Sequence, residues 1–267
     1  MDLQLDGKRA LVTGSTSGIG RAVATALAGE GAVVAVHGRD GKRAEETAAA
    51  IAGSGGKAVV ALGDLSRDDG REAVVSSVES ELGGVDILVN NVGGSARDGW
   101  SAAEPADWAA MLNLNVVSAV RLIGAFTPGM RARSWGRIIQ IGSAAGASPP
   151  PSMAGYGAAK AALANLTVSL AKDLAGSGVT ANIVSPGPTM TEGWREFALS
   201  FARSQGMGED FEAARTALMS GPLANPSGRL AEPGEVAALV SLVASPLAAS
   251  INGANLRIDG GLTPTVN

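Results

Sequence analysis

Tyr156 is the only tyrosine of the 267-residue chain, and Lys160, one of five lysines, follows it four residues later. Residues at positions i and i+4 lie on one face of a helix, so the phenol and the ammonium group are predicted to project together. A phenol has a reference pKa of about 10 and exchanges protons poorly at neutral pH, but a nearby positive charge lowers that pKa. The pair therefore indicates a general acid or base that works near neutral pH.

Two further polar residues are candidates for the same site. Ser143 ends the apolar run RIIQIGS, where a hydroxyl group can hydrogen-bond a substrate oxygen beside the phenol. Asn115 is a polar residue within the apolar stretch MLNLNVVSA, and a buried asparagine needs a partner or a water. Alone, each residue fits a structural role such as a packed ring, a surface charge or a helix cap. The inference of catalysis therefore depends on their combination.

A glycine-rich turn, TGSTSGIG, lies near the start of the chain, directly after an apolar run and before a helical stretch. Glycines permit a tight turn and the close approach of a phosphate, and the helix that follows directs free N–H groups toward that phosphate. A tight turn without a ligand is the structural alternative. The functional interpretation predicts a nucleotide that contacts Gly14, Ser15, Thr16, Ser17, Gly18, Ile19 and Gly20.

The end of the second apolar run, VHGRDGKR, bears on the kind of dinucleotide. NAD-binding proteins place an acid here to hold the ribose 2′-hydroxyl, whereas this chain has Gly38 followed by Arg39. A glycine leaves room for a 2′-phosphate, and a guanidinium can bind it through two hydrogen bonds, so NADP(H) is favoured. NAD(H) stays an alternative in which Asp40 holds the ribose. His37, the only histidine, is predicted to be structural or to stack near the adenine.

Short β-branched runs alternate with alanine-rich helical stretches along most of the chain. This alternation predicts an α/β fold with a seven-stranded, mainly parallel sheet that helices cover on both faces. Between Met190 and about Gly228 no strand is predicted, and we expect a helical lid over the carboxyl ends of the strands. A single domain is predicted over residues 1–267. The predicted strands are Arg9–Gly14, Val33–Gly38, Ala58–Gly63, Val85–Asn90, Arg137–Ser143, Val179–Ser185 and Asn255–Gly260.

Composition and charge exclude several classes of protein. The absence of cysteine excludes disulfides and thiolate ligands, and no metal site is predicted. The net charge of −4 and the lack of a basic cluster argue against nucleic-acid binding. The start MDLQLDGKR lacks the features of a signal peptide, and apolar runs such as VAALVSLVA are too short to cross a bilayer. We therefore expect a cytoplasmic protein that binds neither nucleic acid nor membrane.

The predicted lid carries aromatic residues that bear on the substrate. Trp194, Phe197 and Phe201 follow i, i+3, i+7 spacing and form one stripe on a helix. The stripe either packs the lid onto the body or faces the crevice, and in the second case the substrate is apolar or bulky. Residues Gly94–Gly99 and Ser148–Met153 are expected to line the other walls.

The motifs TGSTSGIG, NNVGG, NLNV, IGS, YGAAK and SPGPTMT occur in the order and spacing of the short-chain dehydrogenase/reductase family. From about Gly7 to Gly261 the chain resembles its single-domain branch, which includes 3-oxoacyl-acyl-carrier-protein reductases, glucose dehydrogenases and small ketoreductases. The resemblance implies a doubly wound, Rossmann-type fold and a homotetramer. One departure is Val92, where the family usually has alanine.

The resemblance also implies an activity: hydride transfer between a nicotinamide cofactor and a small carbonyl or alcohol substrate, which interconverts a ketone and a secondary alcohol. The alternatives are an NAD-dependent alcohol or sugar dehydrogenase of the family and a non-enzymatic NADP-binding regulator. The implied catalytic residues are Asn115, Ser143, Tyr156 and Lys160. The implied cofactor contacts beyond the glycine-rich turn are Asp64, Leu65, Asn90, Val92, Gly93, Tyr156, Lys160, Pro186, Gly187, Thr189 and Thr191.

Overall fold

Seven short strands form one parallel sheet. They are β1 (Arg9–Val12), β2 (Val33–Gly38), β3 (Lys57–Leu62), β4 (Ile87–Asn90), β5 (Gly136–Ile141), β6 (Val179–Pro186) and β7 (Asn255–Ile258). The computed structural model of the chain describes residues 1–95 and 99–265. Within these residues the strand order is β3-β2-β1-β4-β5-β6-β7, and all pairs are parallel. Each predicted strand is present, and its ends lie within two residues of the prediction.

Helices connect the strands and cover the sheet. They are α1 (Gly18–Gly29), α2 (Gly41–Gly53), α3 (Asp68–Leu82), α4 (Gly99–Ala102), α5 (Pro105–Leu112), α6 (Ser118–Ala132), α7 (Ala154–Asp173), α8 (Glu192–Ser204), α9 (Phe211–Ser220) and α10 (Pro233–Ala244). A π-helical turn, Asn113–Val117, joins α5 to α6. The fold is therefore the doubly wound, Rossmann-type arrangement that the sequence predicts.

Alternate residues of the central strands pack into two separate cores. Val89 and Ile139 face the core formed with α1, α2 and α10, whereas Leu88 and Ile138 face the core formed with α3, α6 and α7. Every residue of β4 and β5 is buried. A sheet covered on both faces needs apolar residues at successive positions, which explains why these runs show no polar alternation.

The strand order places a crevice at the centre of the sheet. Strand β1 pairs with β2 on one side and with β4 on the other, so the chain reverses its direction of winding there. In open α/β sheets ligands bind outside the carboxyl ends of the strands at such a point. The glycine-rich turn follows β1, and Ser143 follows β5 on the same edge of the sheet.

The segment between β6 and α10 is helical, as the predicted lid requires. Helices α8 and α9 bury a small core of their own, which consists of alanine and leucine side chains surrounded by the lid aromatics. An isolated parallel bridge between Thr189 and Ala231 joins the two ends of the segment at its base. The lid is therefore a compact segment of the chain whose two ends lie side by side where it joins the rest of the fold.

One helical stretch, Pro105–Ala132, is long and apolar enough to cross a bilayer by length and composition alone. It combines α5, the π-helical turn and α6. Polar residues interrupt its sequence, so a search for uninterrupted apolar runs does not find it. Its side chains Leu122, Phe126 and Met130 pack into the core beneath the sheet. The core helix of a globular domain passes the same test.

Candidate active site

Helix α7 carries Tyr156 and Lys160 near its amino end, on one face. The Nζ atom of Lys160 lies 5.7 Å from the centroid of the tyrosine ring. Lys160 is buried, and its Nζ donates a hydrogen bond of 2.8 Å to the carbonyl oxygen of Ile141 at the end of β5. The predicted common projection of the two side chains is therefore found, and β5 helps to hold the lysine in place.

Ser143 lies beside the tyrosine. It follows β5 and caps a short 3₁₀ turn, because its Oγ accepts the backbone N–H of Ala145 at 3.2 Å. Burial raises the pKa of the Tyr156 phenol, and the nearby Ser143 hydroxyl opposes part of that rise. Both residues line one cavity, so the two hydroxyl groups can approach the same substrate oxygen, as the sequence analysis expects.

The electrostatics of the pair differ from the expectation. Burial raises the pKa of Tyr156 above its usual value, and the Ser143 hydrogen bond opposes this only in part. Burial also lowers the pKa of Lys160 to about 8. Both shifts have the same origin, since removal from water disfavours the charged form of each group. The protein groups alone therefore favour a protonated phenol rather than the phenolate that the spacing suggested.

Asn115 lies in the π-helical turn and is buried. Its Nδ2 donates to the carbonyl oxygens of Gly94 and Met111, both at 3.0 Å, and its Oδ1 accepts the N–H of Gly94 at 3.3 Å. A Cβ atom on Gly93 would lie 2.6 Å from Asn115 Oδ1 and 3.2 Å from Lys160 Nζ. The side-chain amide is thus satisfied by the protein, and a glycine at 93 lets the three segments meet.

A cavity of about 620 Å³ is lined by Ser143, Tyr156 and Lys160, by Ile19 of the glycine-rich turn and by residues of the lid. Asn115, the fourth predicted catalytic residue, does not line it. Among its described lining residues only Lys160 carries a charge. The predicted wall Ser148–Met153 contributes to the lining, whereas residues 96–98 of the other predicted wall lie outside the described residues. The predicted site residues that line the cavity are Ile19, Gly93, Ser143, Tyr156, Lys160, Pro186, Gly187, Thr189 and Thr191.

The glycines of the turn are required by its geometry. Gly14 and Gly18 have φ angles of +62° and +52°, in the left-handed region that favours glycine. A Cβ atom on Gly20 would overlap the carbonyl oxygen of Gly14. Ser17 precedes α1 with an extended backbone and forms no side-chain hydrogen bond to cap that helix within the described chain. Close packing of this kind is what a phosphate-binding turn requires.

Asn91 holds the turn from the neighbouring strand, a role that the sequence analysis missed. Its Nδ2 donates to the carbonyl oxygens of Thr13 at 2.8 Å and Gly14 at 3.1 Å. In return, Thr13 Oγ1 accepts the N–H groups of Asn91 and Val92. The available signal was the second asparagine of NNVGG, which directly follows β4 and therefore lies next to the end of β1.

His37, on β2, holds the turn from the side opposite Asn91. Of its two predicted roles, structural or stacking near the adenine, the structure shows the structural one. Its Nδ1 accepts the N–H of Gly14 at 2.9 Å, and its Nε2 lies 3.1 Å from the carbonyl oxygen of Gly63. This pattern requires a neutral ring protonated on Nε2, because Nδ1 must accept while Nε2 donates. Burial lowers the pKa of His37 to about 4, which agrees with a neutral ring.

At the end of β2, Gly38 has a different role from the expected one, which was to leave room for a 2′-phosphate. A Cβ atom on Gly38 would lie 2.5 Å from Thr16 Cγ2, so the glycine makes room for the threonine methyl group of the turn. Arg39 is exposed and lies 3.9 Å from Asp64 Oδ2. Hydrogen bonds from Ser66 hold the pKa of Asp64 below its usual value. Asp40 caps α2 by accepting the N–H of Arg43 at 3.2 Å.

Three predicted cofactor contacts have side chains that face the protein interior. The Ser15 hydroxyl donates to Val12 and accepts the N–H of His37. Leu65 packs into the core around α3 and α6. Asn90 is buried on the same strand face as Leu88, and its amide has no hydrogen-bond partner within the described residues. For these residues only backbone atoms remain to contact a ligand, because alternation along the strand and turn directs the side chains inward.

The lid aromatics pack around the lid core, and two of them also reach the cavity. Trp194, Phe197 and Phe201 all pack against that core, and Trp194 and Phe197 line the cavity as well. Phe211 packs edge-on against Trp194 with ring centroids 6.0 Å apart. The interpretation in which the stripe faces the crevice therefore holds for Trp194 and Phe197, while the stripe as a whole packs around the core within the lid.

Comparison with known proteins gives a consistent result. Residues 8–199 match the model of the short chain dehydrogenase family. The chain is 38% identical to an uncharacterised oxidoreductase of Bacillus subtilis, over 98% of both chains. It is 34% identical to a 3-oxoacyl-[acyl-carrier-protein] reductase of Vibrio cholerae, over 97% of this chain and 99% of the other. Its structure resembles that of L-sorbose reductase from Gluconobacter frateurii, complexed with NADPH and L-sorbose, with a TM-score of 0.95, 32% identity and full coverage of both chains.

The family match covers most of the chain, and the relatives align along its whole length, lid included. The seven-stranded parallel sheet and its strand order agree with that match. The chain is an oxidoreductase and belongs to the short chain dehydrogenase family.

Proposed function

We propose that the protein is an NADP(H)-dependent oxidoreductase that interconverts a ketone and a secondary alcohol, with Tyr156 as the general acid or base. The observation that carries the proposal is that Tyr156, Ser143 and Lys160 line one cavity together with Ile19 of the glycine-rich turn. Tyr156 supplies a proton donor, Ser143 a hydrogen-bond partner for the substrate oxygen, and Lys160 a cation. All three lie near a turn of the kind that binds dinucleotides.

The residues around the turn fit a dinucleotide. The glycines leave no side chain between the turn and a phosphate, and α1 begins there with its dipole directed outward. Asp40 is engaged as a helix cap, which disfavours the alternative in which it holds the ribose of NAD. The exposed guanidinium of Arg39 is available to a 2′-phosphate. These two features favour NADP(H), and the structural relative bound to NADPH supports the same choice.

The protein groups define the proton transfer. When bound, the reduced cofactor supplies the hydride to the carbonyl carbon. Tyr156 donates its hydroxyl proton to the carbonyl oxygen, and its raised pKa keeps that proton in place until the oxygen becomes basic. Ser143 donates a hydrogen bond to the same oxygen and stabilises the charge that develops on it. Lys160, with a pKa of about 8, is largely protonated at neutral pH and stabilises the resulting phenolate.

The cavity supports a substrate that is largely apolar or bulky. Trp194, Phe197, Pro149 and Leu223 form much of the apolar part of its wall. Aromatic and aliphatic side chains of this kind favour apolar surface on the ligand. Because one structural relative acts on L-sorbose, a keto sugar is the second substrate class to include in a screen. The homotetramer, which the family resemblance implies, and the cytoplasmic location, which the composition and sequence patterns indicate, stay predictions.

Titration of the purified protein with NADPH and with NADH, followed by the fluorescence of the nucleotide, tests the cofactor assignment. We expect NADPH to bind at least about tenfold more tightly, because a charge-assisted contact to the 2′-phosphate contributes of that order. Tighter binding of NADH would overturn the assignment to NADP(H). A failure of both nucleotides to bind would support a role outside nucleotide-dependent oxidoreduction and overturn the proposed function.

A further inference from the structure

The first residue of the lid contacts the glycine-rich turn. Glu192 begins α8, and its Oε2 accepts the backbone N–H of Gly18 at 3.1 Å. Its Oε1 lies 3.3 Å from Nη1 of Arg21, one turn further along α1. Arg21 is itself fixed on the turn, because its Nε and Nη2 donate to the carbonyl oxygen of Thr16 at 3.2 and 2.6 Å. A lid carboxylate thus lies against the amino end of α1.

This N–H group belongs to the part of the turn that a dinucleotide's phosphates approach. Gly18 is the first residue of α1, and the free N–H groups of such a helix start are the donors that bind a phosphate. The Glu192 carboxylate is also an anion and takes one of those donors. A diphosphate that binds at the turn therefore competes with Glu192 for hydrogen bonds and is repelled by its charge.

The contact is weak enough to be exchanged. The side chains of Arg21 and Glu192 are 43% and 57% exposed, and solvent-exposed ion pairs of this kind contribute little to stability. The lid also has a small core of its own, to which Glu192 and Arg21 do not belong.

Glu192 is directly joined to residues that shape the substrate cavity. The preceding Thr191 caps α8, because its Oγ1 accepts the N–H of Trp194 at 3.1 Å. Trp194 and Phe197, on the first turns of the same helix, line the cavity. Loss of the contact between Glu192 and Gly18 therefore removes a restraint on the base of the helix that presents the aromatic wall.

We propose that Glu192 is a built-in competitor of the cofactor diphosphate, and that cofactor binding displaces it and so releases the base of the lid. This inference rests on the proposed function, because it assigns the diphosphate of the nucleotide to the amino end of α1. It identifies Glu192 as a positioning residue that sets cofactor affinity and couples it to the lid.

The test compares Glu192→Gln with Glu196→Gln in the full-length protein. Glu196 is exposed one turn further along α8, so the control removes the same charge from the same helix. We expect NADPH to bind Glu192→Gln about fivefold more tightly than the wild type, the change that one unit charge at about 4 Å produces in water. The affinity of Glu196→Gln should equal that of the wild type.

A second readout follows the lid. Trypsin cleaves after Arg195 and Arg203, both on α8, and exposure of these sites reports on the lid base. We expect NADPH to accelerate this cleavage in the wild type, and Glu192→Gln without nucleotide to be cleaved at the faster rate. If the contact of Glu192 with Gly18 and Arg21 were only structural, Glu192→Gln would not bind NADPH more tightly than the wild type.

The outcomes separate this inference from the proposed function. Equal NADPH affinity of the wild type, Glu192→Gln and Glu196→Gln, or weaker binding by Glu192→Gln, overturns the competition. Equal tightening by both variants assigns the effect to net charge and likewise overturns it. If NADPH binds to none of the three proteins, the proposed function itself fails.

Discussion

The backbone N–H of Gly14 donates to Nδ1 of His37 across 2.9 Å, so the only histidine of the chain is a hydrogen-bond acceptor for the glycine-rich turn. The other ring nitrogen donates to Gly63 after β3. One neutral imidazole thereby joins the ends of three neighbouring strands. Protonation of the ring would remove the acceptor that Gly14 uses.

This arrangement predicts a pH-dependent stability. The pKa of His37 is about 4 in the folded chain and about 6.5 in an unfolded one, so the unfolded state binds more protons between these values. The free energy of unfolding should therefore fall as the pH drops from about 6.5 to 4, by up to about 3 kcal/mol. Urea unfolding at several pH values measures this loss. In His37→Gln, which does not titrate, the slope over that range should be smaller, and an unchanged slope would contradict the assignment.

A second prediction concerns the contact between Gly38 and Thr16. A Cβ atom at position 38 would lie 2.5 Å from the threonine methyl group, so Gly38→Ala should distort the turn. We expect a loss of about 1–3 kcal/mol of stability, typical of overpacking, together with weaker nucleotide binding. Thr16→Ser removes the methyl group, and the double variant should recover most of both properties. Equal defects in the single and double variants would show that the contact is not the cause.

Arg39 provides a test of cofactor choice. Its guanidinium is exposed and lies near Asp64, where a 2′-phosphate of the cofactor is expected. Arg39→Ala should weaken NADPH binding about tenfold and leave NADH binding nearly unchanged, because only NADPH carries the phosphate. Lys42→Ala removes a cation that is 86% exposed in the same region and serves as the control. Equal losses for both nucleotides would assign Arg39 a general role instead.

Local patterns in the sequence predicted the parts of the fold that depend on local structure. The seven β-branched runs became strands because glycines and turn residues bound them, and their parallel pairing follows from the alternation with helices. The i, i+4 spacing brought Tyr156 and Lys160 onto one face of α7. Trp194 and Phe197 reached the cavity because the lid helix places its first turns over the crevice.

Contacts between distant segments could not be read from those patterns. Asn91 and His37 hold the glycine-rich turn from neighbouring strands, and the reason for a glycine at 38 is a methyl group 22 positions earlier. The direction of the pKa shift of Tyr156 depends on burial, which the helix spacing alone does not indicate. The inward side chain of Ser15 likewise follows from its hydrogen bonds to Val12 and His37.

The most direct test of the account is the turnover of Tyr156→Phe. Consumption of NADPH is measured against a panel of ketones that includes L-sorbose and apolar aryl or alkyl ketones, and the best substrate is then given to the variant. We expect the variant to bind NADPH as the wild type does and to lose turnover by about 10²–10⁴-fold, the usual contribution of a general acid. Turnover by Tyr156→Phe at the wild-type rate would contradict the assignment of Tyr156 as the proton donor.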